Sequence, residues 1–209
     1  MLDNNKVTIS GEIAREFEYN HEVYGEKFYT STLEVRRESG YIDKVPIEVS
    51  DRIVSVNDTW TGNFVRIKGE FRSYNQHVEG KSRLILFVFA RDIEVLDGRI
   101  DSNEIILNGF ICKEPIYRKT PLGREISEIL IAANRAYGKS DYIPCIAWGR
   151  NARLTSGIEI GKTIKICGRI QSREYLKRYK DGIEETRTAY EVSVCRIDLL
   201  EDDANENSN

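Results

Sequence analysis

The chain reads as all-β, two tandem copies of a small five-stranded barrel, each with one short helix between its third and fourth strands. Three observations predict this. Apolar and charged residues alternate at the period of strands, turn signals separate the alternating runs, and the sequence repeats itself at an offset of 98 residues. The repeat aligns Asn5–Ser50 with Asn103–Trp148 without a gap, and ten of the 46 pairs are identical: Asn5/Asn103, Gly11/Gly109, Ile13/Ile111, Glu16/Glu114, Tyr19/Tyr117, Gly25/Gly123, Arg37/Arg135, Gly40/Gly138, Asp43/Asp141 and Pro46/Pro144. Ordinary composition would give about three. With one extra residue in the second copy, residues 65–69 meet 164–168 and Ser73 meets Ser172, and a longer second hairpin restores the match at Ile93/Ile197 and Leu96/Leu200.

The elements follow in order. Val7, Ile9, Gly11 and Ile13 alternate with polar residues as a first strand, and Tyr24-Gly25 is the first turn. Val45, Ile47 and Val49 form the apolar face of a third strand, after which about residues 51–57 read as a short helix. Val65, Ile67, Gly69 and Phe71 start the fourth strand, and Glu79-Gly80 turns it into the fifth. The second copy repeats this with a turn at Pro121-Leu122-Gly123, a helix at about residues 151–156, a strand through Ile164, Ile166, Gly168 and Ile170, and a turn at Asp181-Gly182. Five strands and one helix in about 95 residues are the pattern of the OB-fold, a Greek-key barrel that binds oligonucleotides. The expected divisions are a divergent first barrel at 1–98, a second barrel at 99–200 with residues 97–102 as linker, and an acidic, disordered tail at 201–209.

The 209 residues, 40% of them hydrophobic, suffice for two small cores and exclude collagen-like and wholly disordered chains. The longest apolar run is far short of a membrane span and residues 1–5 lack a basic then apolar leader, so a soluble, cytoplasmic and nucleoid-associated protein is expected, with no membrane partner. Cys112, Cys145, Cys167 and Cys195 stand singly, which argues against a zinc site or a disulfide framework. Cys112 and Cys145 read as small core residues and Cys167 as outward-pointing. No nucleophile, phosphate-loop or metalloprotease motif is present, so no catalytic residue, cofactor or metal is expected.

Charge is uneven along the chain. Residues 1–98 carry 13 basic and 17 acidic side chains, residues 99–197 carry 18 and 12, and the end adds five more acids. A basic second half suggests a polyanionic partner. Strand alternation then separates core from surface. In the first copy Lys44, Pro46, Glu48 and Ser50 form a polar face that should be solvated. The equivalent positions of the second copy are Tyr142, Pro144, Ile146 and Trp148. Two large aromatics thus stand on a face the barrel does not need to bury, where bases stack at ~1–3 kcal/mol each. In the next strand Lys165, Cys167, Arg169, Gln171, Arg173 and Tyr175 point outward, and the following hairpin adds Lys177, Arg178, Tyr179 and Lys180. Cations for phosphates beside π faces for bases suit a single strand.

The second copy resembles the bacterial single-stranded DNA-binding protein family, through residues 103–109, Asn134-Arg135, D-Y-I-P-C-I-A-W-G-R at 141–150 and G-R-I-Q-S-R-E-Y at 168–175. The resemblance covers nearly all of 103–200. It implies base stacking on Tyr137, Tyr142, Trp148 and Tyr175, little sequence preference, and an assembly of four barrels, which a chain with two of them reaches as a homodimer. In the first copy the same positions read Ser39, Lys44, Ser50 and approximately Gln76, so that platform is largely missing; Arg66, Lys68, Arg72 and Tyr74 still line one outward face and could hold phosphates, or the copy could equally serve dimerisation or a protein contact. The family usually closes on an acidic tip with a short apolar segment, whereas 206–209 read Glu-Asn-Ser-Asn, which points to a specialised role.

The leading expectation is non-catalytic binding of single-stranded DNA in replication, recombination or repair. Arg135, Arg150, Lys165, Arg169, Arg173, Lys177 and Arg178 are the expected phosphate contacts. The residues leave DNA against RNA open, since stacking and phosphate contacts serve both. The alternative is a primosome-type accessory protein acting mainly through contacts with replication or repair proteins, and the acidic first copy motivates it.

Overall fold

The computed structural model describes residues 4–200 apart from 79, 179–181 and 183. The expected tail at 201–209, Glu79 and Asp181 of two expected turns, and Tyr179 and Lys180 lie outside the described residues. The chain forms two compact units. One consists of Lys6–Glu104 with Ile170–Glu191, the other of Ile105–Arg169 with residues 4–5 and 192–200. The first repeat therefore shares its unit with a hairpin arm that belongs in sequence to the second.

In the first repeat the strands are β1 (Asn5–Ile13), β2 (Glu18–Val23), β3 (Glu26–Arg36), β4 (Ile42–Ser50), β5 (Phe64–Val78) and β6 (Lys81–Val95). Antiparallel pairs β1–β3, β3–β4, β5–β6 and β1–β5 and a short parallel pair β4–β6 close a five-stranded barrel. Its core is made of the alternating positions expected: Ile9, Ile13, Val45, Ile67 and Phe71 are wholly buried, joined by Leu33 of β3, each gaining about 1.5–3 kcal/mol from removal of its side chain from water. The second repeat supplies β7 (Asn103–Ile111), β8 (Ile116–Lys119), β9 (Glu125–Asn134), β10 (Ser140–Trp148), β11 (Thr163–Arg178) and β12 (Glu184–Leu199). Here β7–β9, β9–β10 and β7–β11 pair antiparallel, β10–β12 pair parallel and β11 adjoins β12, closing the second barrel.

The repeated glycines mark where the barrels bend. A Cβ at Gly11 would lie 2.3 Å from the Glu34 carbonyl oxygen, and one at Gly69 2.0 Å from that of Phe89; in the second repeat a Cβ at Gly109 or Gly168 would lie 2.5 or 2.4 Å from the carbonyl oxygens of Ala132 and Ser193. Only a residue without a side chain lets the backbones approach so closely.

One expectation is corrected and one strand in each repeat was not foreseen. The five strands expected of each repeat close its barrel, and a sixth strand lies outside it. The additional β2 and β8 pair along β3 and β9 and bury none of their residues, so they leave no apolar alternation to read. The helix exists only in the second repeat, as α1 (Arg150–Thr155). Ala152 and Thr155 are buried there and the Thr155 hydroxyl donates to Asn151 O at 3.1 Å. Residues 51–57 form turns instead, since β-branched Ile53, Val54 and Val56 lose side-chain freedom in a helix and the Ser50 hydroxyl accepts the Arg52 N–H. Among the described residues no helix is long and apolar enough to cross a membrane.

Candidate nucleic-acid interface

β10 sends Asp141, Ile143, Cys145 and Ala147 into the barrel and exposes Tyr142 and Trp148, with Pro144 half-buried between them. Its partner β9 places Ala132, Leu130, Glu128 and Ile126 opposite Tyr142, Pro144, Ile146 and Trp148, so both exposed aromatics have an apolar cross-strand neighbour. Ile146, expected on the open face, is 7% exposed. It lies between Glu128 of β9 and Ser193 of β12 in the sheet. Directly after Trp148, Gly149 takes φ 54° and ψ −119° and turns the chain into α1; a side chain there would be strained. Trp148 is thereby left at the rim of the strand with 39% of its surface exposed. The other tryptophan, Trp60, is 9% exposed, donates its ring N–H to Ser55 O at 2.8 Å and packs edge-on against Phe17.

Tyr137 sits in the β9–β10 loop at φ 64°, almost entirely exposed. A left-handed conformation costs a tyrosine about 1–2 kcal/mol. The loop is closed by the Arg135 N–H donating to Lys139 O at 2.7 Å, and the β3–β4 loop by the Arg37 N–H donating to Tyr41 O at 2.8 Å. Under each loop its arginine meets a buried aspartate, Arg135 with Asp141 at 3.1 Å and Arg37 with Asp43 at 2.6 Å. Tyr175 is exposed on the hairpin arm, in the other unit from Tyr137, Tyr142 and Trp148.

The cations divide into two groups. Arg135 is committed to Asp141, Arg173 to Glu191 at 3.1 Å, and Arg178 to Glu184 at 2.6 Å. Arg150, Lys165 and Arg169 carry no carboxylate partner among the described residues, and Lys177 is half-buried on the arm. In the first repeat the expected phosphate-holding face is neutralised by its own acids: Arg66 pairs with Glu94 at 3.1 Å and Lys68 with Asp92 at 3.9 Å. Arg72 is held by Glu70 and lies 3.7 Å over the ring of Phe89, leaving it too buried to reach a phosphate. Tyr74 is exposed there, edge-on to Phe87.

Three further outward positions turn out to be buried. Glu48 and Ser50, expected to be solvated, are 7% and 6% exposed, because the β2–β3 hairpin closes over them. Glu48 accepts from the Asn20 side chain at 2.9 Å with His21 4.0 Å away, and Ser50 donates to Glu26. Burial pushes the Glu48 carboxyl up against the pull of His21, Asn20 and Arg72. Gln171 is buried against Glu191, to which it donates at 2.9 Å. Of the cysteines Cys145 is buried, Cys112 and Cys167 are half-buried and Cys195 is exposed. Tyr41 was not among the expected site residues. It is 45% exposed and stacks on the Arg37 guanidinium at 4.6 Å, and its only signal in the sequence is an aromatic one place after Gly40, where the second repeat has Tyr137 one place before Gly138.

Residues 102–200 match the model of the single-strand binding protein family. A single-stranded DNA-binding protein of Clostridium tetani is 34% identical over 106 residues, covering 47% of this chain and 70% of that protein. Single-stranded DNA-binding protein B of Bacillus subtilis is 30% identical over 80 residues, 35% of this chain and 71% of the relative; against several longer relatives the match spans about half their length. Among solved structures, the single-stranded DNA-binding protein of Thermus aquaticus superposes with a TM-score of 0.78 at 18% identity, covering 98% of this chain and 96% of that one, which establishes two OB-folds. The matched residues include both β10 aromatics, Tyr175, Arg150, Lys165 and Arg169. The chain belongs to the single-strand binding protein family.

Proposed function

We propose that this protein binds single-stranded DNA with little sequence preference, in replication, recombination or repair, and without catalysing a reaction. Bases stack on Tyr137, Tyr142, Trp148 and Tyr175. Arg150, Lys165 and Arg169 lead the phosphate contacts, and on the arm Lys177 adds to them while Arg178 shares its charge with Glu184. Arg135 braces its loop through Asp141, and Arg173 shares its charge with Glu191. Residues 1–98 and 99–200 are the two domain copies. The observation that carries the reading is the pair Tyr142 and Trp148, both exposed on one face of β10 at positions where the first repeat has Lys44 and Ser50. The two relatives named for single-stranded DNA binding support it over the accessory-protein reading.

Because Trp60 is buried, quenching of tryptophan fluorescence by oligo-dT reports on Trp148. Strong quenching by the single strand, little by duplex of the same sequence, and loss of the signal in Trp148→Phe are expected. Absence of quenching and of affinity at low salt would contradict the proposal. Oligo-U in the same titration tests RNA. Two barrels per chain further suggest a homodimer with four, for which light scattering should give twice the 24.1 kDa chain mass.

A further inference from the structure

Within the unit formed by Lys6–Glu104 and Ile170–Glu191, donors converge on the fully buried Asp43. Arg37 Nε donates to Oδ2 and Arg37 Nη2 to Oδ1, both at 2.6 Å. The Ser172 N–H and hydroxyl donate to Oδ1 at 2.6 and 2.8 Å. Arg37 Nη2 also donates to Ser172 O at 2.7 Å, so this one residue of the arm is gripped by both its backbone polar atoms. The next residue, Arg173, pairs with Glu191 and lies 5.7 Å from the ring centre of Tyr175. On the other side, the Arg37 guanidinium lies 4.6 Å from the ring centre of Tyr41. Contacts thus run without a break from Tyr41 through Arg37, Ser172 and Arg173 to Tyr175, and both terminal rings are open to solvent, 45% and 39% exposed.

The gapless register of the repeats hides this arrangement. It pairs Ser39 with Tyr137, so by that register the first repeat lacks a loop aromatic. The two loops are closed by the same backbone hydrogen bond and both turn at a positive-φ glycine, Gly40 and Gly138. The first repeat carries its exposed tyrosine on the other side of that glycine. A tyrosine resting on a guanidinium is held in place without being covered, which is what a stacking partner for a flexible base requires. The charge under it is matched, since Asp43 neutralises Arg37 within the fold.

We propose that Tyr41 is a base-stacking residue of the first repeat, joined to the Tyr175 contact by the Arg37–Asp43–Ser172 grip, so that one unit offers a single strand two linked aromatic positions. This rests on the single-stranded DNA reading above. Asp43 is a positioning residue in it and touches no nucleotide.

The test is fluorescence anisotropy of labelled oligo-dT titrated with the full chain. Tyr41→Ala lowers affinity by roughly 5- to 150-fold, the loss of one stacked base, and Tyr41→Phe restores it. Being exposed, Tyr41 can be truncated without disturbing the core. Asp43→Asn weakens binding as well, and its combination with Tyr175→Ala weakens it by less than the product of the two single effects, which a merely destabilised protein would not show. If Tyr41→Ala binds as tightly as wild type while Trp148→Ala is weakened, the inference fails and the single-strand reading stands. If wild type does not bind oligo-dT at all, both fail.

Discussion

Strands β4 and β10 run through one pattern in two repeats. Asp43 and Asp141 are buried at the start, Val45, Ile47 and Val49 face one core as Ile143, Cys145 and Ala147 face the other, and Pro46 and Pro144 are half-buried between them. They part on the opposite face. In β4 that face ends in Glu48 and Ser50, closed over by the β2–β3 hairpin and hydrogen-bonded within the fold; in β10 it ends in Trp148, open to solvent. The difference extends to the neighbouring strand, where Arg66 of β5 is matched by Glu94 and the equivalent Lys165 of β11 has no carboxylate partner among the described residues, the acid at the corresponding place, Asp198, being held by Arg196. A barrel dictates what points inward and leaves the outward face to be satisfied either by the protein itself or by a ligand. The first repeat took the first course over most of its surface, the second repeat the second.

The largest effect expected from disturbing this comparison is at Asp43. Asp43→Ala leaves Arg37 without its buried partner and should cost about 3–5 kcal/mol in urea unfolding. Burial raises the Asp43 carboxyl, but the hydrogen bonds from Arg37 and Ser172 outweigh it and hold it below the ordinary value. Its stabilisation is therefore complete above the unfolded-state value and lost as pH falls through the lower folded one. Glu48 has the opposite sign. Its raised carboxyl favours the protonated form in the folded state, so stability falls as pH rises from the unfolded value through the folded one, and Glu48→Gln should gain on wild type toward neutral pH and lose that advantage in acid. Parallel stability curves for wild type and Glu48→Gln across that range would refute the assignment.

Next in size are the strand glycines. Gly69→Ala and Gly168→Ala each drive a methyl into a backbone carbonyl, and each should lower stability by about 1–3 kcal/mol, one in each barrel, measurable as a shift of the thermal midpoint. The smallest effect is electrostatic. Lys165→Ala should reduce the slope of log affinity against log salt by about 0.7, the value of one phosphate contact to a single strand. Arg66→Ala, its counterpart in the first repeat, should leave the slope unchanged.

Much of this was legible in the sequence, and particular residues show why the rest was not. The alternation of Val7, Ile9 and Ile13, or of Ile143, Cys145 and Ala147, is a direct record of burial, so the barrels and the exposed pair Tyr142 and Trp148 could be read off. β2 and β8 bury nothing and therefore left no record. Period alone also misplaces a residue whose outward position is roofed by a neighbouring element, as Glu48 is by the β2–β3 hairpin. The commitment of Arg135, Arg173 and Arg178 to Asp141, Glu191 and Glu184 depends on partners 6 to 18 residues away, which counting charges does not reveal. Tyr41 was hidden by the register of the repeat itself.

The most direct test of the central claim is the affinity for oligo-dT, at one low salt concentration, of two double variants measured side by side. Tyr142→Ala with Trp148→Ala removes the open face of β10, and Lys44→Ala with Ser50→Ala alters the same two positions of β4. The account predicts that the first pair loses the equivalent of two stacked bases, about 2–6 kcal/mol, and that the second binds as wild type. Equal losses in the two variants, or a loss confined to the β4 pair, would contradict it.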